Sequence, residues 1–240
     1  MTSARRLAPR PDSLASLSAQ VIACERCPRL VAYRRQIAAV KVRRFRDDDY
    51  WGRPLPGFGD PRARLLIVGL APAAHGGNRT GRMFTGDDSG DWLFRALHGA
   101  GFANQPTSRR RDDGLELDGA YISAAARCVP PENRPLPSEL EACRSFLVRE
   151  IALLEDLRVV VALGRIGFDA YLAARTAAGR AVPRPRPEFR HGGETELEEG
   201  VVLIASYHPS RQNTQTGRLT RAMLDRVMAQ ARARLRRGAG

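Results

Sequence analysis

Lysine is nearly absent from this 240-residue chain, Lys41 being its one example. The positive charge is therefore almost all arginine: 39 Lys+Arg stand against 26 Asp+Glu, a formal net charge of +13. Base composition of the gene explains a choice of Arg over Lys as well as function does, but not the excess over acids. That excess points to a polyanionic partner, with nucleic acid ahead of a membrane surface. Long apolar runs are missing too. Nothing approaches the ~18 residues of a membrane span, which argues against a helical membrane protein. The opening MTSARRLAPRPDS carries basic residues with no apolar core behind them, so it does not read as a secretory signal. Residues 1–12 read as a flexible tail, and the expected location is the cytoplasm. Neither Gly-x-x-x-x-Gly-Lys-[Ser/Thr] nor Gly-x-Gly-x-x-Gly occurs, which ranks a nucleotide-binding enzyme low.

What is present suffices for one ordinary core. Hydrophobic residues make up 43% and charged residues 27%, the balance of a single globular domain, placed here at residues 13–236. The chain is organised around Leu65 to Gly90. Leu65-Leu66-Ile67-Val68 is a short apolar run that suits a buried strand, and Gly69 opens a long loop rich in Gly, Pro and polar side chains. Helical spacing resumes near Trp92. Loops of this length are uncommon in compact domains unless they are functional or disordered.

Further strands are expected at Ala120–Ala124, Val159–Leu163 and Val201–Ala205. Helices are expected from Asp12/Ser13 through Val21, over Leu30–Val40, from Trp92 to Ala100, from Ser138 (with Glu141 as capping-box partner) to Leu154, over Ile166–Ala177, and from Leu219 to Arg236. Four strands alternating with helices predict an α/β fold, a three-layer α/β/α domain with a four-stranded parallel sheet. Ligands in such sheets bind at the C-terminal strand edge. Three of the four strand exits lead into unusual loops there: Gly69 onward, Cys128–Arg134 and Tyr207–Asn213. Arg109 to Arg111 read as an exposed connection, and Gly179–Glu188 as a stiff basic loop.

The four cysteines are Cys24, Cys27, Cys128 and Cys143. A cytoplasmic chain argues against disulfides, and Cys24-x-x-Cys27 is a natural chelate. The second pair lacks zinc-ribbon spacing. Four thiolates suit structural zinc or an iron–sulfur cluster, and four unrelated buried thiols are the plain alternative.

The candidate chemical residues lie on the three loops. His75 sits among glycines, and Phe84 is a loop aromatic able to stack on a planar ligand. Asp87, Asp88 and Ser89 compete to cap the next helix, which leaves a carboxylate for other work. Asn133 is held among prolines. His208 leaves a buried strand before Pro209, a position suited to a general acid or to donating a hydrogen bond to a developing anion. Their convergence on one edge points to an enzyme.

These segments resemble the uracil-DNA glycosylases, and most of all family 5, the type-b branch. The likeness is carried by Gly69 to Asp87 (GLAPAAHGGNRTGRMFTGD), Tyr207 to Arg218 (YHPSRQNTQTGR), Arg127 to Pro137 (RCVPPENRPLP) and the Cys-x-x-Cys, and it spans Cys24 to Met228. The resemblance implies a [4Fe–4S] cluster on Cys24, Cys27, Cys128 and Cys143, structural in role, and a DNA substrate acted on by a monomer. It implies catalytic roles for Asp87, Asn133 and His208, and substrate contacts from Gly69, Ala71, His75, Phe84, Arg211 and Asn213. Arginines of the loops and last helix would engage phosphates. The wider superfamily carries an acid or amide where this chain has Ala73-Ala74-His75, and a base-reading Asn where it has Ala124. The implied consequence is a range of deaminated bases that includes hypoxanthine. A non-catalytic DNA-binding domain of the same fold is the alternative.

Overall fold

The computed structural model describes residues 12–237. The expected tail lies outside them except for Asp12, whose carboxylate accepts hydrogen bonds from Arg149 at 2.5 and 3.1 Å. Ser13 caps helix α1 (Leu14–Ile22), its hydroxyl accepting the Ser16 N–H. Helix α2 (Pro28–Val40) begins earlier than expected because a proline fits the first helical turn, where its missing N–H costs nothing.

Among the described residues the sheet has six strands: β1 (Phe58–Gly59), β2 (Leu65–Gly69), β3 (Ala120–Ala124), β4 (Val159–Leu163), β5 (Glu194–Glu196) and β6 (Val202–Ser206). Their spatial order is β1-β3-β2-β4-β6-β5. The four expected strands form the parallel centre, with β2 between β3 and β4 and β4 beside β6. The expectation of a four-stranded, all-parallel sheet is corrected at both edges, where β1 and β5 pair antiparallel. Both are short, and β5 is a Glu-Thr-Glu run. Backbone pairing to a buried neighbour makes them strands, since their own side chains carry no apolar pattern.

Every residue of the central strands is buried, so alternate side chains feed two separate cores. Leu65, Ile67, Val159, Val161 and Ile204 face α4 (Asp88–Gly99) and α8 (Arg221–Arg237). Leu66, Val68, Val160, Ala162 and Leu203 face α5 (Pro137–Leu153) and α6 (Gly164–Ala177). The result is the expected three layers. Each buried Leu, Ile or Val contributes about 1.5–3 kcal/mol. Helix α1 packs outside α5 through Leu17, Val21 and Phe146, beside Cys24 and Cys143.

Helix α5 departs from the expected capping. Its N-cap is Leu136, and Glu139 rather than Glu141 turns back to accept the Leu136 N–H at 2.7 Å. Pro137 at N1 shifts the start one residue ahead of Ser138. Helix α8 runs away from the C-terminal edge: Arg64, just before β2, donates to the Leu235 carbonyl at 3.1 Å. Its terminal arginines therefore lie at the opposite edge of the sheet.

Candidate active site

The C-terminal strand edge gathers the exits of β2, β3 and β6. Beyond β2 the chain stays paired to the β3 exit, with Ala125 N–H donating to Gly69 O and Ala126 N–H to Leu70 O. The loop that follows is more ordered than its composition suggests, because it holds a short helix α3 (Gly77–Thr80) and is pinned by Arg79. Arg79 donates to the carbonyls of His75 and Gly86 and pairs with Asp48. Ala71 and His75 are half-buried along this loop. The His75 Nδ1 lies 3.0 Å from the Tyr50 hydroxyl, and burial followed by nearby Arg79 lowers its pKa.

Phe84 adopts φ +54°, a left-handed backbone that costs a non-glycine residue on the order of 1 kcal/mol. The turn lays its ring against Gly69, where a Cβ would stand 2.8 Å from the ring, so the strand must end in glycine. The ring also stacks on His208: the centroids are 5.8 Å apart and the planes 29° apart. Phe84 thus joins the first and last strand exits.

Asp87 takes the helix cap itself. Its Oδ1 accepts the Gly90 N–H at 2.9 Å, and its Oδ2 is left over, packed against Gly76. Burial raises the Asp87 pKa to about 6, aided by Asp88 and Asp91 and opposed by the cap hydrogen bonds. Asp88, a rival for the cap, pairs with Arg211 instead.

His208 follows the end of β6. Burial lowers its pKa to about 4, so the imidazole is neutral at physiological pH and keeps one N–H donor. Asn213, on helix α7 (Arg211–Gln215), donates its amide to the His208 carbonyl at 2.8 Å. This places Asn213 behind the histidine. Asn133 sits on an exposed turn with φ +57° and makes no side-chain hydrogen bond among the described residues. No ring contact or hydrogen bond ties it to Phe84, Asp87 or His208.

One contributor carries no signal in the sequence. His191, beyond the basic Pro-Arg loop, accepts the Tyr207 N–H on Nδ1 at 3.1 Å and stacks on the Tyr207 ring at 5.0 Å. Arg218 lies 4.6 Å from the same ring. Its separation in sequence from the β6 exit hides the relation.

The cysteines converge beside β3. Cys128 lies within electrostatic reach of the other three thiols, and Cys143 accepts the Arg127 N–H. Two buried arginines flank them. Arg34 acts on the Cys128 thiol and Arg127 on the Cys143 thiol, and Arg34 Nε with Arg127 Nε and Nη1 are buried without an acceptor. Four sulfur donors beside unanswered N–H groups suit an anionic four-thiolate centre. Among the described residues, no three His, Cys, Asp or Glu side chains already stand around a metal position. Glu150 holds the region to α5 by pairing with Arg127 and accepting the Ser123 hydroxyl at 2.6 Å.

Comparison with known proteins gives the family. Residues 56–232 match the family described as the Uracil DNA glycosylase superfamily. A type-5 uracil-DNA glycosylase of Thermus thermophilus is 53% identical over 210 residues, covering 88% of this chain and 93% of that protein. Another type-5 enzyme, from Mycobacterium bovis, is 51% identical over 227 residues, with 94% and 83% covered. A type-4 uracil-DNA glycosylase of Sulfurisphaera tokodaii is 30% identical over 200 residues, with 83% and 75% covered. No helix among the described residues is long and apolar enough to cross a membrane. On the match across its sheet and site loops, the chain belongs to the uracil-DNA glycosylase superfamily, among its type-5 members.

Proposed function

We propose that this protein is a monofunctional DNA glycosylase that removes uracil, and other deaminated bases such as hypoxanthine, and leaves an abasic site. The observation that carries the reading is the pair of shifted groups on two of the loops at this edge, Asp87 three residues after Phe84 and His208 stacked on its ring. Asp87 holds a half-buried carboxylate with one oxygen uncommitted, and His208 holds a half-buried neutral imidazole. Opposed environments of this kind separate acid and base roles.

The substrate nucleotide leaves the stack and enters the edge, where Phe84 offers its ring and Gly69, Ala71 and His75 line the approach. The bond between the sugar C1′ and the base nitrogen lengthens, and its electron pair departs with the base. The sugar gains oxocarbenium character, as in other glycoside hydrolyses. Asp87 Oδ2 orients water, stabilises the cation and takes a proton as the water oxygen bonds to C1′. His208, being neutral, donates a hydrogen bond to the base anion and does not transfer its proton. Asn213 keeps His208 in place through its carbonyl. Asn133 is assigned to the edge of the base or to the attacking water, and its unengaged side chain on an exposed turn supports availability for a substrate. Arg211 exchanges Asp88 for a phosphate when DNA arrives.

The buried Ala124 supplies no polar group to read a pyrimidine edge, which supports the wider base range. Cys24, Cys27, Cys128 and Cys143 are proposed to hold a [4Fe–4S] cluster that ties α1 and α2 to the sheet. When bound, it supplies cross-linking of these segments and takes no part in bond cleavage. The enzyme is proposed to act as a monomer in the DNA-containing compartment, the cytoplasm.

Incubation with duplexes carrying one uracil or one hypoxanthine, followed by alkali, tests this reading. Cleaved strands from both duplexes are expected. Intact uracil strands despite DNA binding would leave only a DNA-binding domain.

A further inference from the structure

The three consecutive arginines between α4 and β3 occupy a loop with more internal structure than its polar composition suggests. Its base is closed by the Ala103–Leu117 bridge. The Asn104 side chain reinforces the closure by donating to Gly114 O and accepting the Glu116 N–H. Inside, the Asp113 carboxylate accepts the N–H groups of Arg109, Arg110 and Leu115 at 2.6, 3.1 and 3.2 Å. A carboxylate gathering three backbone donors fixes a turn in one shape.

This turn is bonded to the active-site loop. Arg82, 5% exposed, donates to Asp113 at 2.6 Å, to the Ser108 hydroxyl at 2.7 Å, to Thr85 Oγ1 at 3.0 Å and to the Arg111 carbonyl at 3.0 Å. Ser108 and Thr85 hydroxyls meet at 2.7 Å, and the Gly86 N–H donates to Ser108 O. Gly86 precedes Asp87. A buried polar network thus ties the arginine turn to the backbone immediately before Asp87.

Its outer face is cationic. Arg109, Arg110 and Arg111 are exposed, and Asp113 is neutralised inward by Arg82. Only Asp112 answers them, at 3.7 Å from Arg110, and Arg109 makes no ion pair among the described residues. Arg111 is braced 4.6 Å from the Trp51 ring. Buried hydrogen bonds that hold a cluster of like charges together imply an anion arriving from outside. Arginine forks match phosphate oxygens.

Resting on the glycosylase reading, we infer that Arg109–Arg111 form a preformed phosphate clamp for the DNA strand, held in register with Asp87 by Arg82, Asp113, Ser108 and Thr85. The clamp grips backbone near the extruded nucleotide and carries no base information. Preformation means that binding does not also have to order the turn.

The test measures affinity for a duplex bearing a tetrahydrofuran abasic-site analogue across a salt series. Each lost phosphate contact flattens the slope of log K against log salt by about 0.9. The Arg109→Ala/Arg110→Ala variant is expected to flatten it by about 1–2. Arg236→Ala/Arg237→Ala, an equal charge change at the opposite sheet edge, is expected to leave the slope as it was. Asp113→Asn keeps the arginines but loosens the turn, so affinity should fall about 5- to 20-fold with the slope retained. Thermal melts confirm that each variant is folded. An unchanged slope in the first variant, or an equal change in the opposite-edge variant, overturns the clamp. Unchanged affinity in Asp113→Asn overturns its preformation. Uracil release by the unaltered protein on a matched duplex is scored alongside, so failure of the glycosylase reading is recorded separately.

Discussion

The Asp87 carboxylate rests on the α-carbon of Gly76: a Cβ placed there would lie 1.9 Å from Oδ2 and 2.9 Å from the Asp87 Cβ. No real pair of atoms tolerates the first distance, so the glycine sets where the uncommitted oxygen points. Gly76→Ala should displace the carboxylate while leaving the two cores untouched. The expected loss in single-turnover uracil release is about 100-fold, the cost of roughly an ångström of misplacement. Circular dichroism should show an unchanged fold. A loss of less than about threefold would mean that the Oδ2 position is not used.

In the proposed mechanism the two shifted groups set the pH dependence. Asp87 is proposed to act as a carboxylate, and burial raises its pKa to about 6. Activity should rise about tenfold per pH unit below that value and level off above it. His208, at about 4, is neutral throughout that range and adds no falling limb above pH 6. Single-turnover rates from pH 5 to 9 check this. A decline beginning near neutrality would indicate that a protonated His208 is required instead.

Two side chains fix the backbone around His208. Asn213 donates to its carbonyl, and His191 accepts the N–H of Tyr207 immediately before it. Asn213→Ala removes the first and should lower the rate at saturating protein about 5- to 20-fold, with a smaller effect on DNA affinity. Stopped single-turnover and binding assays separate these. A change confined to affinity would return Asn213 to direct contact with DNA.

The cysteine proposal predicts iron and acid-labile sulfide at about four each per chain when the protein is purified without oxygen. Cys128→Ser should lose that content. Hydrogen exchange should then quicken in α1 and α2, which lie beside Cys24 and Cys27, before it does so in the central strands. Stoichiometric zinc, or full iron retention in the variant, would contradict the assignment.

The four central strands were legible because Val159–Leu163 and its neighbours are buried on both faces and therefore read as continuous apolar runs. Strands β1 and β5 were not, since Phe58–Gly59 and Glu194–Glu196 owe their state to a partner strand. Asp87 and His208 could be found as polar residues at strand exits or caps. That Asp87 would serve as both cap and free carboxylate could not, because the division of its two oxygens depends on Gly76, eleven residues earlier. His191 was illegible for the same reason: its link to Tyr207 is made only in space. The resemblance grouped Asn133 with the others, yet its turn leaves it exposed and unbonded.

Cleavage of the glycosidic bond is proposed to rest on Asp87 and His208. Its most direct test is single-turnover release of uracil from duplex DNA by the unaltered protein, Asp87→Ala and His208→Ala, with affinity for the abasic analogue measured in parallel. Rapid release is expected from the unaltered protein, with a loss of about 100-fold or more in each variant and affinities within about tenfold of one another. Variants that release uracil at nearly the original rate would contradict this proposal.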